Sequence, residues 1–176
     1  MERPRITVTF RQSELGFTLI ELLLYVSIAA VVLLAIAFFT SLLLEARIHN
    51  QVIGEVEEQG RQTMLFITQI VRNATTVTLP AVGGSGTQLS VTVFNAAKNP
   101  TVVDVVGGTL RLTEGGAAAV PLINNRIMVT NFTVRNLSRI GTPGTVQITL
   151  TLSHVNTTGR REYSYQQTFI ASASFH

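Results

Sequence analysis

A long stretch without any charged residue constrains this chain more than any other feature of its sequence. Residues 22–44 read LLLYVSIAAVVLLAIAFFTSLLL, 23 residues in which hydroxyl groups are the only polar side-chain groups. As an α-helix with a rise of about 1.5 Å per residue, the stretch is roughly 35 Å long, enough for the ~30 Å hydrocarbon core of a bilayer. Hydroxyl groups can hydrogen-bond to carbonyl groups of their own helix. The stretch therefore predicts a membrane-spanning helix and not the buried helix of a soluble core.

The polar segment before this stretch distinguishes between kinds of membrane signal. Residues 1–16 carry three arginines and two glutamates. Arginine before a membrane helix favours a cytoplasmic N-terminal end. A cleaved secretory signal has an apolar region of about 7–15 residues followed by small residues, whereas the stretch here is longer and Glu45-Ala46-Arg47 follows it. An uncleaved signal anchor would satisfy the hydropathy but would not explain the carboxylate of Glu21 at the start of the stretch.

The six residues from Gly16 to Glu21 read GFTLIE and lead directly into the apolar run. This segment resembles the processing site of type IV prepilins and pseudopilins. The resemblance implies that a prepilin peptidase cleaves the chain after Gly16, on the cytoplasmic side of the membrane, and that the new N-terminal residue, Phe17, is N-methylated. It also implies that Glu21 meets the terminal amine of a neighbouring subunit and so sets the register of assembly.

The chemistry of these residues agrees with that implication. Glycine has no Cβ, so a protease can approach the backbone closely at Gly16. After cleavage, Phe17 would carry a cationic amine at the head of an apolar helix, with Glu21 one helical turn away. Each charge alone costs about 2.5–3.5 kcal/mol in hydrocarbon, and pairing offsets these costs. A simpler alternative stays open, in which Glu21 rests at the depth of the lipid headgroups.

Helical periodicity continues beyond the apolar run, from residue 45 to about residue 74, but there it becomes amphipathic. One side carries a stripe that we expect to face a core: Val52, Val56, Gly60, Thr63, Ile67, Ile70 and Ala74. The other side is polar, which predicts one long helix that is first embedded in the membrane and then packed on a domain. Glu57 and Arg61 are predicted to pair at i,i+4. No proline occurs between the membrane stretch and Pro80, and Phe38 stands where many major pilins carry one, so we expect a straighter helix.

The remainder of the chain has the alternation of β-strands. Residues 76–87 contain LPAVGGSGT and are predicted to be a linker. Predicted strands cover residues 88–94, 101–106, 109–113, 117–122 and 127–137, and two further strands present apolar faces made of Val146, Ile148, Leu150 and Leu152 and of Tyr163, Tyr165, Phe169, Ala171, Ala173 and Phe175. Gly107-Gly108 predicts a two-residue hairpin, and Gly115-Gly116 repeats the device. The predicted fold class is α+β and pilin-like, with a long N-terminal helix packed on a C-terminal antiparallel β-sheet whose other face is wet.

Finer details resemble the J-type minor pseudopilins and related minor pilins. Residues 61–74, RQTMLFITQIVRNA, are similar to the second helical stretch of those proteins. Residues 124–137, NNRIMVTNFTVRNL, followed by VQITLTLSHV at 146–155, are similar to their C-terminal strands. These matches are patterns that cover much of the chain, and they are less specific than GFTLIE.

The chain offers little for catalysis or metal binding. It has no cysteine, three histidines and one aspartate, Asp104, between valines, while Glu114 stands at a turn. No nucleophile elbow, phosphate loop or zinc motif occurs, and the acidic residues do not form a calcium loop. His154 is predicted to be a satisfied surface residue. We therefore expect no catalytic residues, no metal and no cofactor, and we do not expect an enzyme.

Arg135, Arg139, Arg160 and Arg161 lie at predicted strand ends and could form a basic patch. Aromatic residues that would stack bases are scarce beside them, and Tyr163 and Tyr165 are predicted to lie in the core. Nucleic-acid binding is therefore not expected.

Together these features predict three segments: a leader peptide at 1–16, a transmembrane and assembly helix at 17–44, and an extracytoplasmic globular domain at 45–176. The resemblance implies a single-pass protein of the inner membrane that enters a type IV pilus or a type II secretion pseudopilus as a minor structural subunit. Its expected partners are the inner membrane, the prepilin peptidase and other pilin or pseudopilin subunits. The alternative is a binding module at a filament tip, an adhesin or a DNA-uptake receptor. A signal-anchored enzyme is disfavoured because the chain lacks a carboxylate–histidine constellation.

Overall fold

The computed structural model describes residues 18–139 and 144–175. In chain order its main elements are α1 (Leu19–Arg72), β1 (Ala74–Leu79), β2 (Ser85–Gly86), β3 (Leu89–Val93), β4 (Thr101–Val106), β5 (Thr109–Glu114), β6 (Val120–Pro121), β7 (Ile127–Asn136), β8 (Gly144–His154) and β9 (Gln166–Phe175). Short 3-10 turns occur at Ala96–Lys98 and Arg161–Tyr163. The chain divides into two compact units, Met1–Leu43 and Leu44–His176.

The helix α1 is continuous over 54 residues, and its first part supplies the described residues of the first unit. The side chains of residues 19–44 are all exposed. The helix is uninterrupted at Phe38, as expected from the absence of proline, because proline removes a backbone hydrogen bond and clashes with the preceding turn. The backbone of the apolar part of α1 is therefore hydrogen-bonded within the helix, and no other described segment of the chain covers its side chains.

Within the second unit, α1 buries one stripe against the sheets, as its amphipathic pattern predicts. The buried residues are Val52, Val56, Gly60, Thr63, Met64, Ile67, Thr68 and Val71. The predicted stripe needs two corrections. Ile70 is only partly buried, since Val71 takes the inward position in the last turn, and Ala74 belongs to β1 because the helix ends at Arg72. The β-branched residues that follow Ala74 favour the change from helix to strand.

The predicted pair of Glu57 with Arg61 is wrong. Arg61 instead donates to Glu58 one helical turn away, and Gln62 donates to the same carboxylate. These hydrogen bonds lower the pKa of Glu58, that from Arg61 most of all. Glu57 turns towards β9 and accepts a hydrogen bond of 3.1 Å from the hydroxyl of Tyr165, whose pKa is raised by burial first and by this bond second.

The strands form two antiparallel sheets where the sequence predicted one. The first has five strands in the order β1-β3-β4-β5-β6, and the second has four in the order β2-β7-β8-β9. The predicted linker at 76–87 contains most of β1, which pairs with β3, and all of β2, which pairs with β7. The strands β4, β5 and β6 form the predicted meander, although β6 has only two residues. The α+β, pilin-like class, with one long N-terminal helix packed on antiparallel strands, is confirmed.

The hairpin predicted at Gly107-Gly108 joins β4 to β5. Both glycines have positive φ angles, 59° and 77°, which suit a tight hairpin turn. Across this hairpin Asp104 lies opposite Arg111 and accepts hydrogen bonds of 3.1 and 2.8 Å from its guanidinium group. The hydrogen bonds to Asp104 raise the pKa of Arg111. The aspartate that looked isolated in the sequence therefore has a cross-strand partner.

The four-stranded sheet supplies the largest share of the buried hydrophobic residues in the second unit. Val146, Ile148, Leu150 and Leu152 of β8 are fully buried, which confirms the predicted alternation. The opposite face is rich in hydroxyl groups, and Thr151 and Thr168 share a hydrogen bond of 3.0 Å there. The last strand is predicted to begin at Tyr163, but β9 begins at Gln166, and Tyr163 lies in the preceding 3-10 turn.

The close contact of α1 with β9 at Gly60 provides a test of this packing. A Cβ at Gly60 would overlap the ring of Phe169, whereas a Cβ at Gly54 would meet nothing within 4 Å. Both Gly60→Ala and Gly54→Ala gain about 1 kcal/mol of helix propensity, so their difference isolates the overlap. We expect Gly60→Ala to be less stable than Gly54→Ala by about 1–3 kcal/mol in urea denaturation. Equal stability of the two variants would contradict the packing.

Candidate functional site

The start of α1 has the geometry of a capped helix end. Thr18 directly precedes Leu19, its carbonyl oxygen accepts a hydrogen bond of 3.1 Å from the N–H of Leu22, and its hydroxyl accepts one of 3.4 Å from the N–H of Glu21. This is half of a capping box, in which a threonine cap and a glutamate three residues later satisfy exposed N–H groups of the first turn. The negative charge of Glu21 also lies at the positive end of the helix dipole. The T-L-I-E sequence thus explains why the helix begins here.

The carboxylate of Glu21 is exposed in the chain, as is the whole first turn. The hydroxyl of Tyr25, one turn further, donates a hydrogen bond of 3.5 Å to its Oε1 atom. Within residues 18–139 and 144–175 no cationic side chain pairs with Glu21. The sequence motif identified Glu21, but its contact with Tyr25 was missed, although residues at i and i+4 are neighbours on a helix surface.

Gly16 and Phe17 lie outside the described residues, so the predicted cleavage and N-methylation remain predictions. The role of Glu21 in assembly also remains a prediction, because the amine that it would meet belongs to the residue that follows the cleaved bond.

The apolar part of α1 fits a single-pass membrane anchor. Among the described residues it is the one helix long and apolar enough to cross a membrane. Two of its hydroxyl groups bond back to the helix: Ser27 donates to the carbonyl groups of Leu23 and Leu24 at 2.8 and 2.9 Å, and Thr40 donates to that of Ile36 at 2.8 Å. These bonds satisfy both hydroxyl groups within the helix itself, which suits a lipid environment that offers no hydrogen-bond partners.

The structure offers no clustered ligands for a metal in the part of the chain that it describes, since no group of three or more His, Cys, Asp or Glu side chains converges there.

Two of the arginines near strand ends have carboxylate partners. Arg126 pairs with Glu55 at 3.0 Å, and Arg160 of the predicted basic patch pairs with Glu162 at 3.3 Å.

The prediction for His154 is wrong. Its ring is half-buried and stacked on Tyr163 with the ring centroids 5.9 Å apart, and its Nδ1 atom is enclosed without a hydrogen-bond partner among the described residues. The two rings border a pocket of about 410 Å³ that Asn156 and Arg160 also line. Alternation along β8 placed His154 on the polar side, but it could not show that the turn at Arg161–Tyr163 folds back over the ring.

Comparison with known proteins identifies the N-terminal region. Residues 11–37 match the family model described as the prokaryotic N-terminal methylation motif, which is the prepilin signal of type IV pilin-type proteins. No curated protein and no solved structure matches the chain. The motif implies processing by a prepilin peptidase and assembly with other pilins, and it favours a structural subunit over an enzyme. The chain therefore carries a type IV pilin-type prepilin signal, and its motif and fold support a pilin- or pseudopilin-like precursor.

Proposed function

We propose that this protein is a minor structural subunit of a type IV pilus or of a type II secretion pseudopilus. The observation that carries the proposal is the methylation motif at residues 11–37, which leads into a helix that is first exposed and apolar and then buried against a sheet domain. A helix of this kind has two environments, lipid before assembly and the helices of other subunits after it. The action of the protein is then assembly, without catalysis of its own.

The minor role is supported by the resemblance of residues 61–74, 124–137 and 146–155 to segments of J-type minor pseudopilins and related minor pilins. A filament pull-down, compared with DNA-binding and surface-binding assays on residues 45–176, separates this role from that of a filament-tip binding module.

Each segment of the chain then has its own function. Residues 1–16 form the leader, residues 17–44 the transmembrane and assembly helix, and residues 45–176 the extracytoplasmic domain. The arginines of the leader hold the N-terminal end in the cytoplasm, so the globular domain lies on the other side of the inner membrane. Cleavage after Gly16 then occurs on the cytoplasmic face and leaves Phe17 as the methylated first residue.

In the assembled filament, Glu21 pairs with the terminal amine of a neighbouring subunit. Two features of the chain support this role. The Thr18 cap fixes the backbone of Glu21 at the first turn of the helix, and the carboxylate is exposed with one hydrogen bond, from Tyr25. A hydroxyl group can stay bonded to one carboxylate oxygen while the other meets an amine. The charge of Glu21 is thus available for a partner that lies outside its own chain.

Intact-mass analysis tests the proposed processing. Protein extracted from the membranes of cells with an active prepilin peptidase should lack residues 1–16 and carry the additional mass of one methyl group. Gly16→Val should stay at full length, because a β-branched side chain obstructs close approach to the scissile bond.

The matched control for this measurement is Gly54→Val, since a Cβ at Gly54 meets nothing within 4 Å and lies far along the chain from the motif. This variant should be processed like the wild type. A wild-type chain that keeps its first 16 residues in the same cells would contradict the proposal.

A further inference from the structure

The last strand, β9, forms an outer edge of the four-stranded sheet, since β8 is its one neighbour there. It has 10 residues, all paired with β8 and without a bulge. None of these residues is charged or a proline. Natural proteins usually protect a long edge with charges, proline or a bulge, because its unpaired backbone groups recruit other strands. The edge of β9 lacks these protections, which indicates that another segment covers it.

A groove of about 720 Å³ follows this edge between α1 and β9. On the strand side it is lined by the five consecutive residues 167–171. Because successive side chains of a strand point to opposite faces, a groove lined by consecutive residues runs along the backbone edge and not over one face. Among the described residues, the backbone of 167–171 bonds to β8 and to no other element. The groove is therefore bordered by backbone groups that can accept a further strand.

One end of the groove is acidic. Glu57, Glu58 and Arg61 line it there, and Arg61 pairs with Glu58. Glu57 accepts its hydrogen bond from the neutral hydroxyl of Tyr165 and has no cationic partner in the described part of the chain. Two carboxylates against one guanidinium group leave a net negative charge, which favours a lysine or arginine in the occupant.

The other end of the groove is apolar. Met64 and Leu65 of α1 line it on the helix side, and Ile170, which pairs with Thr149, lines it on the hydroxyl-rich face of β9. Leu65 and Ile170 are each 65% exposed, although both are large aliphatic residues. An extended segment of five residues spans about 17 Å, so one short segment can reach from the acidic end to the apolar end.

We infer that this groove binds an extended segment of a neighbouring pilin-like subunit, which adds to the sheet as a strand beside β9. Its lysine or arginine lies at Glu57, and apolar side chains of the segment lie beside Leu65 on the helix side of β9 and beside Ile170 on the opposite face. Every strand pair in this sheet is antiparallel, and Glu57 lies near the N-terminal end of β9. The basic residue therefore stands at the C-terminal end of the added segment. The inference rests on the proposed function for the source of the segment.

A second copy of β9 is a poorer occupant than a different segment. The strand Gln166–Phe175 contains no basic residue, so pairing of two β9 edges would leave each Glu57 without a cation. Strand addition of the proposed kind draws its affinity from main-chain hydrogen bonds and its specificity from side chains in alternate positions, and here the acidic and apolar ends provide that specificity.

Photo-crosslinking of the full-length protein tests the inference. A benzoylphenylalanine replaces Ile170 in cells that assemble the filament, and the matched control places it at Val120, which is 57% exposed on the edge strand β6 of the other sheet. We expect crosslinks from position 170 to a β-segment of another pilin-type subunit, with a lysine or arginine within a few residues of the attachment point identified by mass spectrometry. Attachment to a helix or to β9 of a second copy of this protein would overturn the inference. A crosslinking yield at position 170 no higher than at position 120 would also overturn it.

A charge placed on the edge provides an independent readout. Ile170→Lys should reduce incorporation into filaments by about tenfold relative to Val120→Lys, because a charge on an edge strand blocks pairing. Processing and membrane insertion should stay normal in both variants. Equal incorporation of the two variants overturns the groove inference and leaves the subunit role intact. A wild-type chain that is never incorporated instead overturns the proposed function, and this inference with it.

Discussion

Replacement of Leu150 by aspartate is expected to unfold the second unit of the chain. Leu150 is fully buried on β8, where it pairs with Phe132 of β7 and Phe169 of β9. Loss of a buried leucine side chain costs about 2–5 kcal/mol. A carboxylate without a partner in the same place adds several kcal/mol more, or is protonated at a similar cost. The sum is comparable with the ~5–15 kcal/mol that stabilises an ordinary domain.

Urea denaturation of residues 45–176, followed by circular dichroism, measures this effect. We expect this fragment to fold alone, because every buried hydrophobic residue among those described lies at Val52 or later. The wild-type fragment should show mixed helix and strand and one cooperative transition. Thr149→Asp is the matched control, since its side chain is half-buried on the hydroxyl-rich face, and it should cost about 1 kcal/mol or less. A cooperative transition of Leu150→Asp within about 1 kcal/mol of the wild type would contradict the assignment of the core face.

Features that depend on neighbouring residues were predictable from the sequence. The alternation around Leu150 predicted the buried face of β8, and Gly107-Gly108 predicted the hairpin between β4 and β5. The change from an apolar to an amphipathic helix predicted where α1 acquires a buried stripe. In each case a periodicity or a turn residue carries the information, because the physical cause lies within a few residues.

Features that depend on distant partners were not predictable. The division into two sheets is decided by which strands pair. The strand β1 pairs with β3 while β2 pairs with β7, although both overlap the segment at 76–87 that was predicted to be a linker. The partner of Arg61 also depended on tertiary structure, since Tyr165 attracts Glu57 and leaves Glu58 to the guanidinium group. These pairings join residues that are far apart in the sequence, so no local pattern reveals them before the chain is folded.

The candidate site follows the same division. The motif identified Glu21 without any structure, and the structure adds the Thr18 cap and the hydroxyl of Tyr25. The groove beside β9 had no sequence signal apart from the absence of charge in the last strand, because an edge becomes an edge only when strand order is known. An assembly site is therefore predictable from the sequence when a motif contains it. A site at a sheet edge can be found only after the strand order is known.

Removal of the carboxylate of Glu21 is expected to reduce incorporation into filaments strongly while processing and insertion continue. Glu21→Val lowers the cost of the helix in lipid, so insertion should be unchanged or improved. Cleavage should persist, because the scissile bond after Gly16 lies about five residues before Glu21 in the sequence. The amine of the neighbouring subunit, however, would be buried without its counter-charge, at a cost of about 3–5 kcal/mol. A minor subunit at a filament end has fewer neighbours, so we expect a loss of at least about tenfold in the ratio of filament to membrane protein.

Two further variants decide which property of Glu21 is responsible. Glu21→Gln keeps the shape of the side chain and an oxygen that can accept from Tyr25, but it removes the charge. It should therefore fail like Glu21→Val if pairing with an amine matters, and it should assemble normally if the side chain only accepts a local hydrogen bond. Ser27→Ala is the matched control, because the hydroxyl of Ser27 bonds within its own helix. A carboxylate that merely rests at the headgroups predicts normal incorporation of all three variants in quantitative fractionation, and that result would remove Glu21 from the mechanism of assembly.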